Sequence, residues 1–164
     1  MPEDFVCNNK KSFRSNVQKA VPALAESFLS QVSRAALHPN RAKELHEMRL
    51  SGKLLRYLME LCGPYFGKDF KKCYKEIKDF VALAGEIHDL DLALESLALF
   101  KREMELFNKT INEKNCQIPA SSIAPVTGGF RKQRAQLQQE LCAAAKRWQL
   151  SRFNEEINAS LYRA

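Results

Sequence analysis

The chain has 164 residues, 45% of them hydrophobic, enough for one domain with a core of its own and too few for two comfortable ones. Its 26 Lys and Arg against 19 Asp and Glu give a net charge of +7, which favours an anionic partner: nucleic acid, a polyanion or an acidic membrane. Five cysteines without a CxxC pair argue against a disulfide framework or zinc site. The amino-terminal MPEDFVCNNKKSF has no apolar core, and no apolar run nears the roughly 20 residues that span a bilayer, so a soluble cytoplasmic protein is expected.

Glycine and proline number six each, and apolar residues recur at helical spacing almost throughout. The expected fold is all-α: an antiparallel bundle of about five long helices with short turns, in one domain over residues 1–164. The first helix carries Phe13, Val17, Val21, Leu24, Phe28 and Val32 on one side, with Pro22 expected to kink or split it. HPN, residues 38–40, ends that segment, and Asn40 can cap the next helix, which runs from about Arg41 to Cys62. GPYFG, residues 63–67, stops it. A third helix over 68–84 turns Phe70, Tyr74, Ile77, Phe80 and Val81 inward, and Gly85 is expected to interrupt it. A fourth carries Leu90, Leu94, Leu97, Phe100, Met104, Phe107 and Ile111. NCQIPASSIAPVTGG, residues 115–129, reads as a long, mobile loop. The fifth helix spans about 130–162, with Leu137, Leu141, Ala145 and Trp148 on one face and a weak point at Ser151. Cys62, Cys73 and Cys142 fall within helical patterns, as small apolar fillers.

Helix two sorts its charges. At about 100° per residue, with His46 at zero, Arg49 falls near −60°, Lys53 near −20°, Arg56 near −80° and Tyr57 near +20°. The apolar residues Met48, Leu54, Leu55, Leu58, Met59 and Cys62 occupy the opposite side, and Glu60 alone among acids shares the basic sector. Helix three repeats the pattern with Lys71, Lys75 and Lys78 within about 60°. Arg131, Lys132 and Arg134 add charge near the start of helix five. Like charges at such spacing repel by a few tenths of a kcal/mol per pair; a bound polyanion turns that cost into attraction, and arginine's planar fork suits phosphate. Solvated bundle faces would account for the lysines as well. A bound anion would favour the charged form of His46, so affinity is expected to climb as pH falls through the ordinary histidine range near about 6.5.

LHEMRLSGKLLRYLMELCGPYFG followed by IKDFVALAGEIHDLDLALESL resembles the CHAD family, the conserved histidine α-helical domain, over residues 45–97. The resemblance rests on a His-x-x-Arg-x-x-x-Lys-x-x-Arg helix followed by Gly-x-x-x-Asp-x-Asp, and WQLSRF is similar to the family's closing helix. It implies a helical bundle that binds inorganic polyphosphate without catalysis and without a cofactor, among proteins that often accompany polyphosphate-handling enzymes or localise to polyphosphate granules. His46, Arg49, Lys53 and Arg56 match the motif, and Lys78 matches a basic position seven before the glycine. Lys71, Lys75, Tyr57 and His88 join the expected binding set, although many members carry Arg or Asn where this chain has His88. Family domains usually hold two related bundles around a positive channel. This chain supplies one, so either a one-sided strip or a homodimer is expected.

Two rival readings stand beside it. His88-Asp89 occurs in HD-type metal phosphohydrolases, which need further His and Asp ligands; only His38 and His46 remain, so no metal site is expected. Asp89 and Asp91 have a plainer role as first-turn carboxylates after Gly85, or as braces for a basic side chain across the bundle. A nucleic-acid module would share the electrostatics, but single-strand binding favours exposed aromatics, and only Tyr57 falls on the basic side.

Overall fold

The computed structural model describes residues 9–39, 41–111 and 117–162. Among them are five α-helices and no strand. Asn40, Cys7, Cys116 and the first two residues of the 115–129 segment lie outside the described residues.

Helix α1 (Phe13–Leu37) begins where the Ser12 hydroxyl accepts the Ser15 N–H at 3.2 Å. It continues through Pro22, held on either side by the fully buried Val21 and Ala25. Helix α2 (Ala42–Cys62) ends in a single 3-10 turn, Gly63–Tyr65, that contains Pro64. Helix α3 (Lys68–Asn108) corrects the sequence reading. Gly85 does not interrupt it, and the expected third and fourth helices are one helix of 41 residues. A helical glycine costs only about 1 kcal/mol relative to alanine, and the neighbouring Ala84 and Ile87, both fully buried, anchor the backbone on each side. Asp89 and Asp91 consequently lie inside a helix, not at its positive end.

Helix α4 (Ala124–Ser151) starts six residues before Phe130. Its Pro125 lies in the first turn, where the missing N–H has no partner to lose, and Gly128 and Gly129 are carried within the helix. Only the first part of the expected loop is therefore irregular. It is tied to the end of α3 by Asn108, whose side chain accepts from the Ile118 N–H at 2.9 Å and donates to the Ile118 carbonyl at 2.7 Å. Arg152, in the left-handed region with φ 55°, breaks the chain one residue after Ser151, and α5 (Phe153–Ser160) follows. No helix among the described residues is long and apolar enough to cross a membrane.

The chain divides into two compact units. One comprises Met1–Gly85 and Glu140–Ala164; the other is Glu86–Gln139. The core of the first is a cluster of rings. Trp148 stacks on Phe153 at 4.6 Å, lies 4.5 Å from Phe80, and meets the edge of Phe28 at 6.0 Å. Its indole N–H donates to Glu76 at 3.2 Å, so the polar end of the ring is satisfied. Gln18 donates to the Leu161 carbonyl at 3.0 Å and fastens α1 to the end of α5. Cys62 and Cys73 are buried free thiols, as fillers should be, while Cys142 is half-buried. Burial raises the pKa of both buried thiols, that of Cys73 to about 11, with the charges of Glu76 and Glu156 adding to the effect. The second unit is a helical hairpin. The end of α3 and the start of α4 run antiparallel, braced by the ion pair of Asp91 with Arg134.

Candidate functional site

Gly52 decides how closely α2 approaches its neighbours. A Cβ placed on it would lie 2.7 Å from Phe28 Cε2 and 2.7 Å from Val81 Cγ2. Only a residue without a side chain lets α2 settle against both α1 and α3 at this point. Further along, Tyr74 of α3 lies beside Glu60 of α2. Partial desolvation and the Glu60 charge hold the Tyr74 pKa above its ordinary value, and Arg56 acts against them. The two contacts fix an antiparallel register in which Gly52 is level with Val81 and Glu60 with Tyr74. Arg56 then stands level with Lys78.

The buried residues set the angular frame of each helix. On α2, with Gly52 at zero, the buried Leu45, Met48, Leu55, Met59 and Cys62 span about −80° to +20°; Arg56 follows at about +40°, Arg49 at +60° and Lys53 at +100°. On α3, with Tyr74 at zero, the buried Phe70, Cys73, Ile77, Phe80 and Val81 span about −120° to −20°; Lys78 follows at about +40°, Lys71 at +60° and Lys75 at +100°. In antiparallel neighbours the same rotational sense points toward the shared edge. The cations therefore line one surface groove end to end: Arg56 and Lys78 stand level, Arg49 and Lys53 continue to one side and Lys71 and Lys75 to the other, about 20 Å in all at 1.5 Å per residue, with Glu60 as the one acid on the same edge of α2.

Ion pairing separates these cations from those at the start of α2 and the end of α1. Arg34 pairs with Glu44 at 3.2 Å and Glu47 at 3.7 Å, and Arg41 and Lys43 share the same two acids. Arg49, Lys53, Arg56, Lys71, Lys75 and Lys78 have no carboxylate within 4.0 Å among the described residues. Arg49, Lys53 and Arg56 are half-buried, and the Nε atoms of both arginines are shielded from water without an acceptor. Their stems lie against the bundle, which restricts where the outer nitrogens can point. The Arg56 guanidinium rests 4.4 Å from the ring centre of the exposed Tyr57.

The other expected residues fall as follows. His46 is exposed, on the same side of α2 and one turn before Arg49, and is engaged in a contact of its own. His88 is half-buried, also partnered, and belongs to the Glu86–Gln139 unit. Arg131, Lys132 and Arg134 belong to that unit too, and Arg134 is committed to Asp91. Sequence reasoning missed Gly52 and Tyr74, which set the spacing and register of the groove. The signal for Gly52 was its place on the apolar side of helix two, between Met48 and Leu55; Tyr74 read only as one more apolar residue. Among the described residues no three of His, Cys, Asp and Glu gather closely enough to hold a metal ion.

Fold and site together define an all-helical protein with a cationic groove between two antiparallel helices. The chain belongs to the CHAD-domain family, whose model matches residues 3–98 and so takes in α1, α2 and most of α3. That family is associated with polyphosphate binding in general. No curated protein and no solved structure matches the chain.

Proposed function

We propose that this protein binds inorganic polyphosphate, without altering it chemically, along the groove between α2 and α3. The observation that carries the reading is the set of six cations, Arg49, Lys53, Arg56, Lys71, Lys75 and Lys78, lining one groove with a single acid, Glu60, among them and no carboxylate within 4.0 Å of any of the six among the described residues. A linear polyanion presents a charge at every repeat, so it can engage cations spread over about 20 Å at once, which a single phosphate cannot. Arg49 and Arg56 supply forked donors, Tyr57 supports the Arg56 guanidinium, and the lysines act as point charges. His46 extends the strip by one turn. In the cell, binding of this kind would serve cytoplasmic storage or attachment to polyphosphate granules.

Calorimetry with long-chain polyphosphate over a series of salt concentrations tests the reading. If counterion release follows the nucleic-acid rule of about 0.7–0.9 per phosphate neutralised, log affinity should fall against log salt with a slope near −4 to −5. Arg49→Ala with Arg56→Ala should weaken binding strongly and lower that slope by about 1.5, with helical content unchanged. A double variant that binds like the parent at matched salt overturns the site. The exposed Tyr57 could also stack on a base, so single-stranded DNA is the competitor to include. Its displacing polyphosphate at equal phosphate concentration would favour a nucleic-acid module, and a chelator-sensitive phosphatase activity would favour the HD-type reading.

A further inference from the structure

Beyond Lys75, where α2 turns into α3, the groove reaches a surface cavity of about 540 Å³, inside the range of about 300–1,000 Å³ usual for small-molecule sites. The fully buried Met59 and Phe70 and the Gly63–Pro64 turn line it on the apolar side, and Glu60, Lys71 and Tyr74 supply its polar side chains. Lys71 belongs to the cationic strip as well, so cavity and groove are continuous. Glu60 falls at about +80° on α2, between Arg49 and Lys53 in rotation, and Tyr74 stands across from it. Arg56 is one turn along α2 from Glu60, and Lys78 one turn along α3 from Tyr74, each about 6 Å away at 1.5 Å per residue.

A bare polyphosphate fits this end of the groove poorly. Its next phosphate would meet the Glu60 carboxylate, which repels it, and an apolar lining whose only side-chain donors are Lys71 and the Tyr74 hydroxyl. We infer that the cavity holds the nucleoside of a nucleoside 5′-polyphosphate, whose phosphates run from Lys71 and Lys75 onto Arg56 and Lys78. The inference rests on the groove as a phosphate site and adds a head group to its ligand. Three features select that head. The lining is apolar and includes the ring of the half-buried Tyr74, a surface for the face of a base and not for a charged group. An ionised Glu60 only accepts hydrogen bonds, so it fits a neutral donor such as a ribose hydroxyl or an exocyclic amine, and such bonds are strong because the acceptor is charged. The cations that follow within one turn require the head to carry phosphates. An inositol phosphate, charged all round, would set a phosphate against Glu60, and an acyl chain would use neither Glu60 nor the Tyr74 hydroxyl.

Calorimetry with the full chain, in metal-free buffer at one salt concentration, compares adenosine triphosphate with inorganic tripolyphosphate. Tripolyphosphate carries the greater charge and on charge alone binds tighter. A seated nucleoside reverses that order, and adenosine triphosphate should bind about tenfold tighter. Gly63→Leu should abolish the preference and leave tripolyphosphate affinity unchanged. The backbone there is helical, with φ −47°, and a Cβ meets nothing within 4 Å, so the new side chain enters open space at the cavity without strain. Glu60→Ala should tighten tripolyphosphate binding, by removing a repelling charge, and reduce the preference. Circular dichroism of both variants should match the parent. Long-chain polyphosphate is the control: if it fails to bind, the groove is refuted and the nucleoside site with it. If it binds and adenosine triphosphate is not preferred over tripolyphosphate, the nucleoside site alone is refuted. A full preference that survives in either folded variant also overturns it, because the head would then lie elsewhere, such as on the exposed Tyr57.

Discussion

Replacing Gly52 and Gly85 by alanine should change stability in opposite directions, although both are glycines inside long helices. At Gly52 the new methyl would sit 2.7 Å from Phe28 Cε2 and Val81 Cγ2, and 3.3 Å from Phe28 Cδ2. Ordinary carbon contacts lie at about 3.5–4.0 Å, so roughly 1 Å of overlap must be relieved on two sides. Phe28 cannot move aside cheaply: it is fully buried, with Phe80 at 5.9 Å and Trp148 at 6.0 Å. Overpacking costs about 1–3 kcal/mol, here about 2–3 because the methyl meets two side chains at 2.7 Å at once, and the better helix propensity of alanine returns about 1 kcal/mol. The net loss of about 1–2 kcal/mol lowers Tm by about 2–8 °C for a chain of this size. At Gly85 the methyl meets nothing within 4 Å, so the propensity gain stands alone and stability should rise by about 0.5–1 kcal/mol. Urea and thermal melts followed by fluorescence read both, because Trp148 is the one tryptophan and lies in the ring cluster. A Gly52→Ala variant as stable as the parent would mean that α2 does not approach α1 and α3 this closely, and the register derived for the groove would fall with it.

Two further outcomes follow from the burial of Cys73 and from the separation of charge along the chain. The Cys73 thiol keeps its proton up to about pH 11 in the folded chain against 9.0 for an unperturbed thiol. Above pH 9 the unfolded chain therefore binds fewer protons than the folded one. Stability is unaffected below pH 9 and should fall by up to about 2–3 kcal/mol as pH rises from 9 through 11, a loss that Cys73→Ala removes; identical urea midpoints for parent and variant against pH would contradict it. Salt should weaken polyphosphate binding steeply, since binding rests on charge; equal affinity by calorimetry at about 50 and about 200 mM salt would contradict it.

The first two helices were legible because both of their signals are local. Periodic apolar residues from Phe13 to Val32 and the GPYFG stop need no knowledge of the rest of the chain. The basic sector of α2 was legible for the same reason: the angles of Arg49, Lys53 and Arg56 are fixed once the helix is known. What the sequence could not supply is long-range. Gly85 looked like a break because glycine is a poor helix former, but buried Ala84 and Ile87 outweigh that preference. The glycines at 128 and 129 misled in the same way, at the cost of six residues of α4. Arg134 looked like one more free cation, yet its partner Asp91 lies 43 residues earlier. Nor could Lys78 of α3 be placed level with Arg56 of α2, with Lys71 and Lys75 carrying the strip onward, without the contact of Gly52 with Val81 and the nearness of Tyr74 to Glu60.

Stability alone gives no reason for the way charge is sorted in the first unit. On an exposed helix, acids placed three or four residues from bases contribute about 0.2–0.5 kcal/mol per pair, and like charges cost as much. Helix α2 uses the favourable arrangement in its first turns, where Lys43 and Glu47 stand 3.9 Å apart, and abandons it from Arg49 onward. Helix α3 has acids available, but Glu76 turns inward to Trp148, and Asp79 joins it with Glu140 and Arg147 around a cavity of about 430 Å³. Exchanging positions such as Lys78 and Asp79 would leave composition and core untouched and would set an acid level with Arg56. The chain instead holds both helices' cations on one edge and, Glu60 apart, the acids of these stretches elsewhere. Each repulsion is small enough for the fold to bear, and their sum is an attraction held in reserve for an anion long enough to meet them together.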